Sequence, residues 1–64
     1  MIKIDREWPW FVRGIYADNV KPPKVPGAVA FETKHKDEVS RDVEIAAAKS
    51  REEIGHVESG TRYI

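Results

Sequence analysis

The stretch VSRDVEIAAAKSREEIGHV, residues 39–57, decides the fold because it obeys two periods at once. Val39, Arg41, Val43, Ile45 and Ala47 alternate with Ser40, Asp42, Glu44 and Ala46, the period of a half-buried strand. Val39, Val43, Ala46, Ser50, Ile54 and Val57 are also separated by threes and fours, the spacing of one helix face. Ile45 falls off that helical stripe but sits on the apolar side of the alternation. Ser50-Arg-Glu-Glu53 has the form of a capping box, in which the serine accepts from an amide and the glutamate reaches back. A helix is therefore expected to start at Ser50 rather than pass through it. This reading gives a strand over 39–47, a hairpin turn at 36–38, and a short helix from Ser50 to about Glu58 that ends at Gly60.

Upstream, residues 7–16 read EWPWFVRGIY and hold four of the six aromatic side chains. Aromatic and β-branched residues predict a strand from Trp10 to Ala17. Residues 18–27, DNVKPPKVPG, contain three of the four prolines and must form a loop with polyproline character. A second strand follows over 28–34, with Val29, Phe31 and Thr33 on one face. Residues 2–4 suit a strand lead-in, and Thr61–Ile64 a last edge strand. The expected fold class is α+β: a small, largely antiparallel three- to four-stranded sheet with one short C-terminal helix, in a single domain over residues 1–64. Its expected core is Val12, Val29, Phe31, Val43, Ile45, Ile54 and Val57 with at least one tryptophan.

Sixty-four residues bury only about 60% of the unfolded chain's surface. With no cysteine, neither disulfides nor thiolate zinc sites can supplement that core, so oligomerisation or a partner gains importance. No run of about 18 apolar residues occurs and the start, MIKIDREW, is charged from its third residue. No membrane span or export signal is expected, and a cytoplasmic location follows as the expectation. Residues 1–36 hold seven basic side chains against four acids, and residues 37–64 hold four against seven. The overall balance is zero, which counts against a dedicated nucleic-acid binder, because phosphate neutralisation supplies most of such affinity.

Little here carries chemistry. His35 and His56 each precede a carboxylate by two residues, but no spacing organises three or four metal ligands. They read as a turn histidine and a helix-surface histidine. Ser40, Ser50 and Ser59 lie in no nucleophile elbow. Glu52, Glu53 and Glu58 read as a solvated helix face. No phosphate loop is present, and no enzyme activity, metal or cofactor is expected. Pro23-Lys-Val-Pro26 matches the P-x-x-P pattern, but such a match is common by chance and the stretch reads as an irregular loop stiffened by proline.

The aromatic strand poses the functional question. Trp10, Val12 and Tyr16 share one of its faces; Phe11, Arg13, Ile15 and Ala17 share the other. One helix shields only one side of a sheet, so either Pro9 and the long loop fold over the second face and cover it, or an aromatic patch stays exposed as an interface. The expected function is therefore a small non-enzymatic protein-binding module, of adaptor or inhibitor type, or one half of a homodimer. It would dock through strand 8–16 and the Pro-rich loop 19–26, using Trp8, Trp10, Phe11, Arg13, Tyr16, Lys21 and Lys24. The alternative is a single-stranded nucleic-acid binder, in which Trp8, Trp10 and Tyr16 stack on bases while Arg13, Lys21 and Lys24 meet phosphates. A hairpin followed by IAAAKSREEI, residues 45–54, resembles the layout of many small sheet-plus-helix proteins, including short bacteriophage-encoded inhibitors of host enzymes. The resemblance assigns no role to any residue.

Overall fold

A computed structural model describes residues 2–64. Strand β1 (Trp10–Tyr16) is central, with β2 (Val29–His35) on one side and β3 (Ile54–Thr61) on the other, both antiparallel to it. Helix α1 (Glu38–Lys49) connects β2 to β3 and lies against all three strands. The class is the expected α+β with a three-stranded antiparallel sheet and one helix. The helix, however, precedes the last strand rather than ending the chain.

Residues 39–47 are helix, not strand, and 36–38 is a helix start, not a hairpin turn. Asp37 caps the first turn by accepting from the Ser40 amide at 2.7 Å, Glu38 lies in the first turn and Lys49 in the last, both favourable to the helix dipole. Ala46, Ala47 and Ala48 are the strongest helix formers. The stripe that faces the sheet is Arg41, Glu44, Ile45 and Ala48, of which Ala48 is fully buried. Two of its four members are charged, which hid it from a search for apolar periodicity. Val39 and Val43, on the more obvious stripe, are 74% and 65% exposed. Ser50 is the C-cap, its Oγ donating to the Ala47 carbonyl at 2.7 Å, so the capping-box reading fails.

The segment expected to be helix is β3. Ile54 is buried in the core. A Cβ on Gly55 would stand 2.7 Å from Ala17 Cα, so a glycine is needed where the two chains cross. In a helix interior the same glycine would be destabilising by roughly 1 kcal/mol. Gly60 lies in the strand and ends no helix, and Glu52 and Glu53 sit in the turn before it.

Val12, Ala48 and Ile54 are the buried apolar core. Phe31, Ile45, Val57 and Trp10 are half-buried, while Val29 and Val43, both expected inside, are exposed. Cross-strand partners share a face: Trp10 opposes His35 and Thr61, and Val12 opposes Thr33 and Ser59. This face carries α1, since the Arg41 guanidinium lies 4.5 Å from the Trp10 ring centroid. Beyond β1 the chain ends pair in turn, with Ile4 bridging Tyr63 and Arg62 held to Asp5 at 2.6 Å.

Candidate functional site

Because side chains alternate along a strand, Phe11, Arg13 and Ile15 lie on the face away from α1. Arg13 stands between its two direct cross-strand partners, Glu32 on β2 and Glu58 on β3. Its Nε donates to Glu32 Oε2 at 2.8 Å and its Nη1 is 3.8 Å from Glu58 Oε1. The hydrogen bond and charge of Glu32 raise the guanidinium pKa above its ordinary value, with Glu58 adding to the effect. The guanidinium also lies 5.1 Å from the Phe11 ring centroid, and Phe11 in turn covers Gly60. The fork is thereby fixed, with its side chain 34% exposed.

At one end of this face, Lys34 and Lys36 place their ammonium groups 5.2 and 4.9 Å from the Trp8 ring. Lys34 opposes Phe11 in the register, so Trp8 adjoins the same face. The Asp5 carboxylate sets the position of Trp8. Its Oδ1 accepts from the Glu7 and Trp8 amides at 3.1 and 3.2 Å, and its Oδ2 from Arg62. The Trp8 amide above all, with the Glu7 amide and Arg62, holds the Asp5 pKa below its ordinary value against the opposing effect of burial. At the other end stand Ile15 and its partner His56, an exposed strand residue rather than a helical one.

The seven residues singled out in the sequence thus separate. Trp8, Phe11 and Arg13 come together on or beside the helix-free face. Trp10 lies on the other face, against Arg41. Tyr16 is half-buried at the loop end of β1, where it opposes Ile54. Lys24 is tied across the loop to Glu53 at 2.6 Å, and Arg51 also pairs with that carboxylate. The bond to Lys24, then that to Arg51, lowers the Glu53 pKa, while Glu53 raises that of Lys24. Lys21 is exposed in the same loop. Glu32, Lys34, Lys36, Glu58 and His56 complete the face; the alternation of Glu32, Lys34 and Lys36 would have marked the first three once the β2 register was known.

His35 is not a turn residue but a buried one at the end of β2. Its Nε2 is hydrogen-bonded to Thr33 Oγ1 at 2.8 Å and its Nδ1 to Ser40 Oγ at 2.9 Å, which joins the sheet to the first turn of α1. The two hydroxyls thereby satisfy both nitrogens of a buried imidazole. Among the described residues, no group of three His, Cys, Asp or Glu side chains is placed to hold a metal ion. Among the same residues, no helix is long and apolar enough to cross a membrane. No family model, no curated protein and no solved structure matches the chain.

Proposed function

We propose that this chain is a small non-enzymatic protein-binding module of the cytoplasm, of adaptor or inhibitor type. It docks a partner protein on the helix-free face of its sheet, with the Pro-rich loop at the end of that surface. The observation that carries this reading is the single-sided cover of the sheet. One helix packs on the Val12 face, and among the described residues no second helix or sheet covers the opposite one, where Trp8, Phe11, Arg13 and Ile15 are half-buried by side chains of their own sheet.

The extent of the surface supports it. The accessible area is 4774 Å², whereas a folded monomer of 7.3 kDa exposes about 4,200 Å². The Cα radius of gyration is 12.9 Å, against about 10.7 Å for a compact domain of this length. The excess of about 600 Å² belongs to the whole chain, whose flat form, 39 × 26 × 13 Å, leaves both broad sides wide enough for a partner. Tryptophan and arginine are residue types that anchor such interfaces. A clamped guanidinium also loses little conformational entropy when a partner covers it.

The nucleic-acid alternative draws less support. Its stacking set is divided between the two faces, and Arg13 and Lys24 already meet carboxylates. The test is a photo-crosslinking residue at Lys34, on the docking face, against one at the exposed Lys3, in the paired chain ends. A specific protein adduct at position 34 that Phe11→Ala and Arg13→Ala each weaken about five- to thirtyfold, the range of an interface anchor, is the expected result. Variants that stay folded and capture the same partner undiminished would refute the reading. Salt-sensitive binding of single-stranded oligonucleotides would favour the alternative.

A further inference from the structure

The side of α1 that faces away from the sheet is also unpartnered. At 3.6 residues per turn, Val39, Val43, Ala46 and Ser50 fall within about 60° of arc, opposite the buried Ala48. One flank of this stripe carries Glu38, Asp42 and Lys49, and the other carries Ala47, Ser40 and Glu44. The first flank is acidic toward the helix N-terminus and basic toward its C-terminus. Among the described residues neither Glu38 nor Lys49 is in a salt bridge. Asp42 accepts from its neighbour Arg41 at 3.1 Å, so its charge is partly answered already.

From this pattern we propose that α1 docks a second copy of the chain, helix against helix and antiparallel, about a two-fold axis between Val43 and Ala46. Such an axis runs perpendicular to both helices and brings each flank against the same flank of the other copy, reversed in direction. Val43 then meets Ala46 of the second copy. Lys49 of the second copy comes level with the turn between Glu38 and Asp42, and the contact occurs twice because the interface is isologous. The alanines let the two backbones approach, and the opposed helix dipoles are favourable. A parallel arrangement would instead set the Glu38–Asp42 flank against Ser40 and Glu44, which offer no cation. Charge alone therefore selects the antiparallel arrangement. The two exposed valines, at 74% and 65%, supply the apolar centre.

A contact made by one 12-residue helix, about 18 Å long, belongs among the small, weak interfaces that bury less than about 1,200 Å² in total. It lies on the opposite side of the sheet from Phe11 and Arg13, so it does not depend on that face binding anything.

Sedimentation of the full chain from about 10 µM to about 1 mM covers the range of such a weak interface and tests the proposal. The expected result is a monomer–dimer equilibrium that weakens with salt, since the flanking pairs are exposed. Val43→Glu should abolish it by placing like charges beside the axis. Lys49→Glu should weaken it at least about fivefold, because two exposed pairs become two repulsions. Combining it with Glu38→Lys should restore it in part, because one of the two acids that position 49 meets is then reversed while Asp42 remains, its charge partly answered by Arg41. Circular dichroism establishes that each variant is folded. A chain that stays monomeric throughout, a dimer indifferent to Val43→Glu, or a charge reversal without rescue would each overturn the proposal.

Discussion

Gly14→Ala probes the packing that separates the two faces of the sheet. Gly14 opposes Phe31 directly across the β1–β2 ladder, and the phenyl ring lies over it. A Cβ at this position would stand 2.3 Å from Phe31 Cε1, 2.8 Å from Cζ and 2.9 Å from Cδ1. Ordinary contact begins near 3.4 Å, so the ring must move by more than an ångström or the strands must part. Overpacking of this kind destabilises by about 1–3 kcal/mol. Restricting the unfolded chain by replacing a glycine offsets about 0.4–1 kcal/mol of that. The expected net loss is about 1–2 kcal/mol. The sign should reverse once the ring is gone. In a Phe31→Ala background, Gly14→Ala should stabilise by about 0.4–1 kcal/mol, because only the unfolded-state effect survives. Urea unfolding of the four chains, with a constant slope m as the control for two-state behaviour, measures both values. Phe31→Leu serves as the milder background if the alanine variant is too unstable to analyse. An equal loss in both backgrounds would refute the argument, since it would place the obstruction in the backbone and not in the ring.

Asp37→Ala should cost about 0.5–2 kcal/mol by removing the acceptor for the Ser40 amide, with helix content falling in circular dichroism. Ile45→Ala, on the sheet-facing stripe, should destabilise by at least about 1 kcal/mol. Val43→Ala should be neutral or stabilising by up to about 0.6 kcal/mol, since an exposed valine gives way to the better helix former; the opposite ranking in thermal unfolding would mean that the valine stripe is the packed one. The Asp5 carboxylate titrates lower in the folded chain than in the unfolded one, so its stabilisation is fully present above the unfolded value near 3.8 and is lost as pH falls through the folded value. Melting temperatures of the wild type and Asp5→Asn should therefore differ at neutral pH and converge as the pH falls below the unfolded value near 3.8; a constant difference would show that Asp5 does not act through its charge.

Much of the first half was legible from residue types alone. Aromatic and β-branched residues marked β1 and β2 nearly to their ends, and the prolines could only be a loop. The division of β1 into two faces also followed from alternation. What alternation does not contain is which face the helix covers. That depends on where the chain between β2 and β3 crosses the sheet. Trp10 and Trp8 show the consequence: two residues apart, one lies under Arg41 and the other beside Lys34 and Lys36.

The second half was misread for a reason that lies in how a small α+β fold is packed. By itself the sequence offered two readings of residues 39–57, a strand followed by a helix or one helix carried through, because both periods are present. It also carried the local signals for a helix at 38–49, in Asp37 and the three alanines. It left open which stripe of that helix would be inside, because two stripes competed. The apolar one, through Val39 and Val43, looks like a core; the packed one contains Arg41 and Glu44. Only the tertiary structure decides between them. Trp10 offers the Arg41 guanidinium an aromatic face, and long charged side chains can bury their stems while the charge stays near water. Gly55 likewise has no meaning until Ala17 crosses it. An arginine covers the core and valines face solvent because the sheet supplies a partner for the arginine, and that partner lies about thirty residues away along the chain.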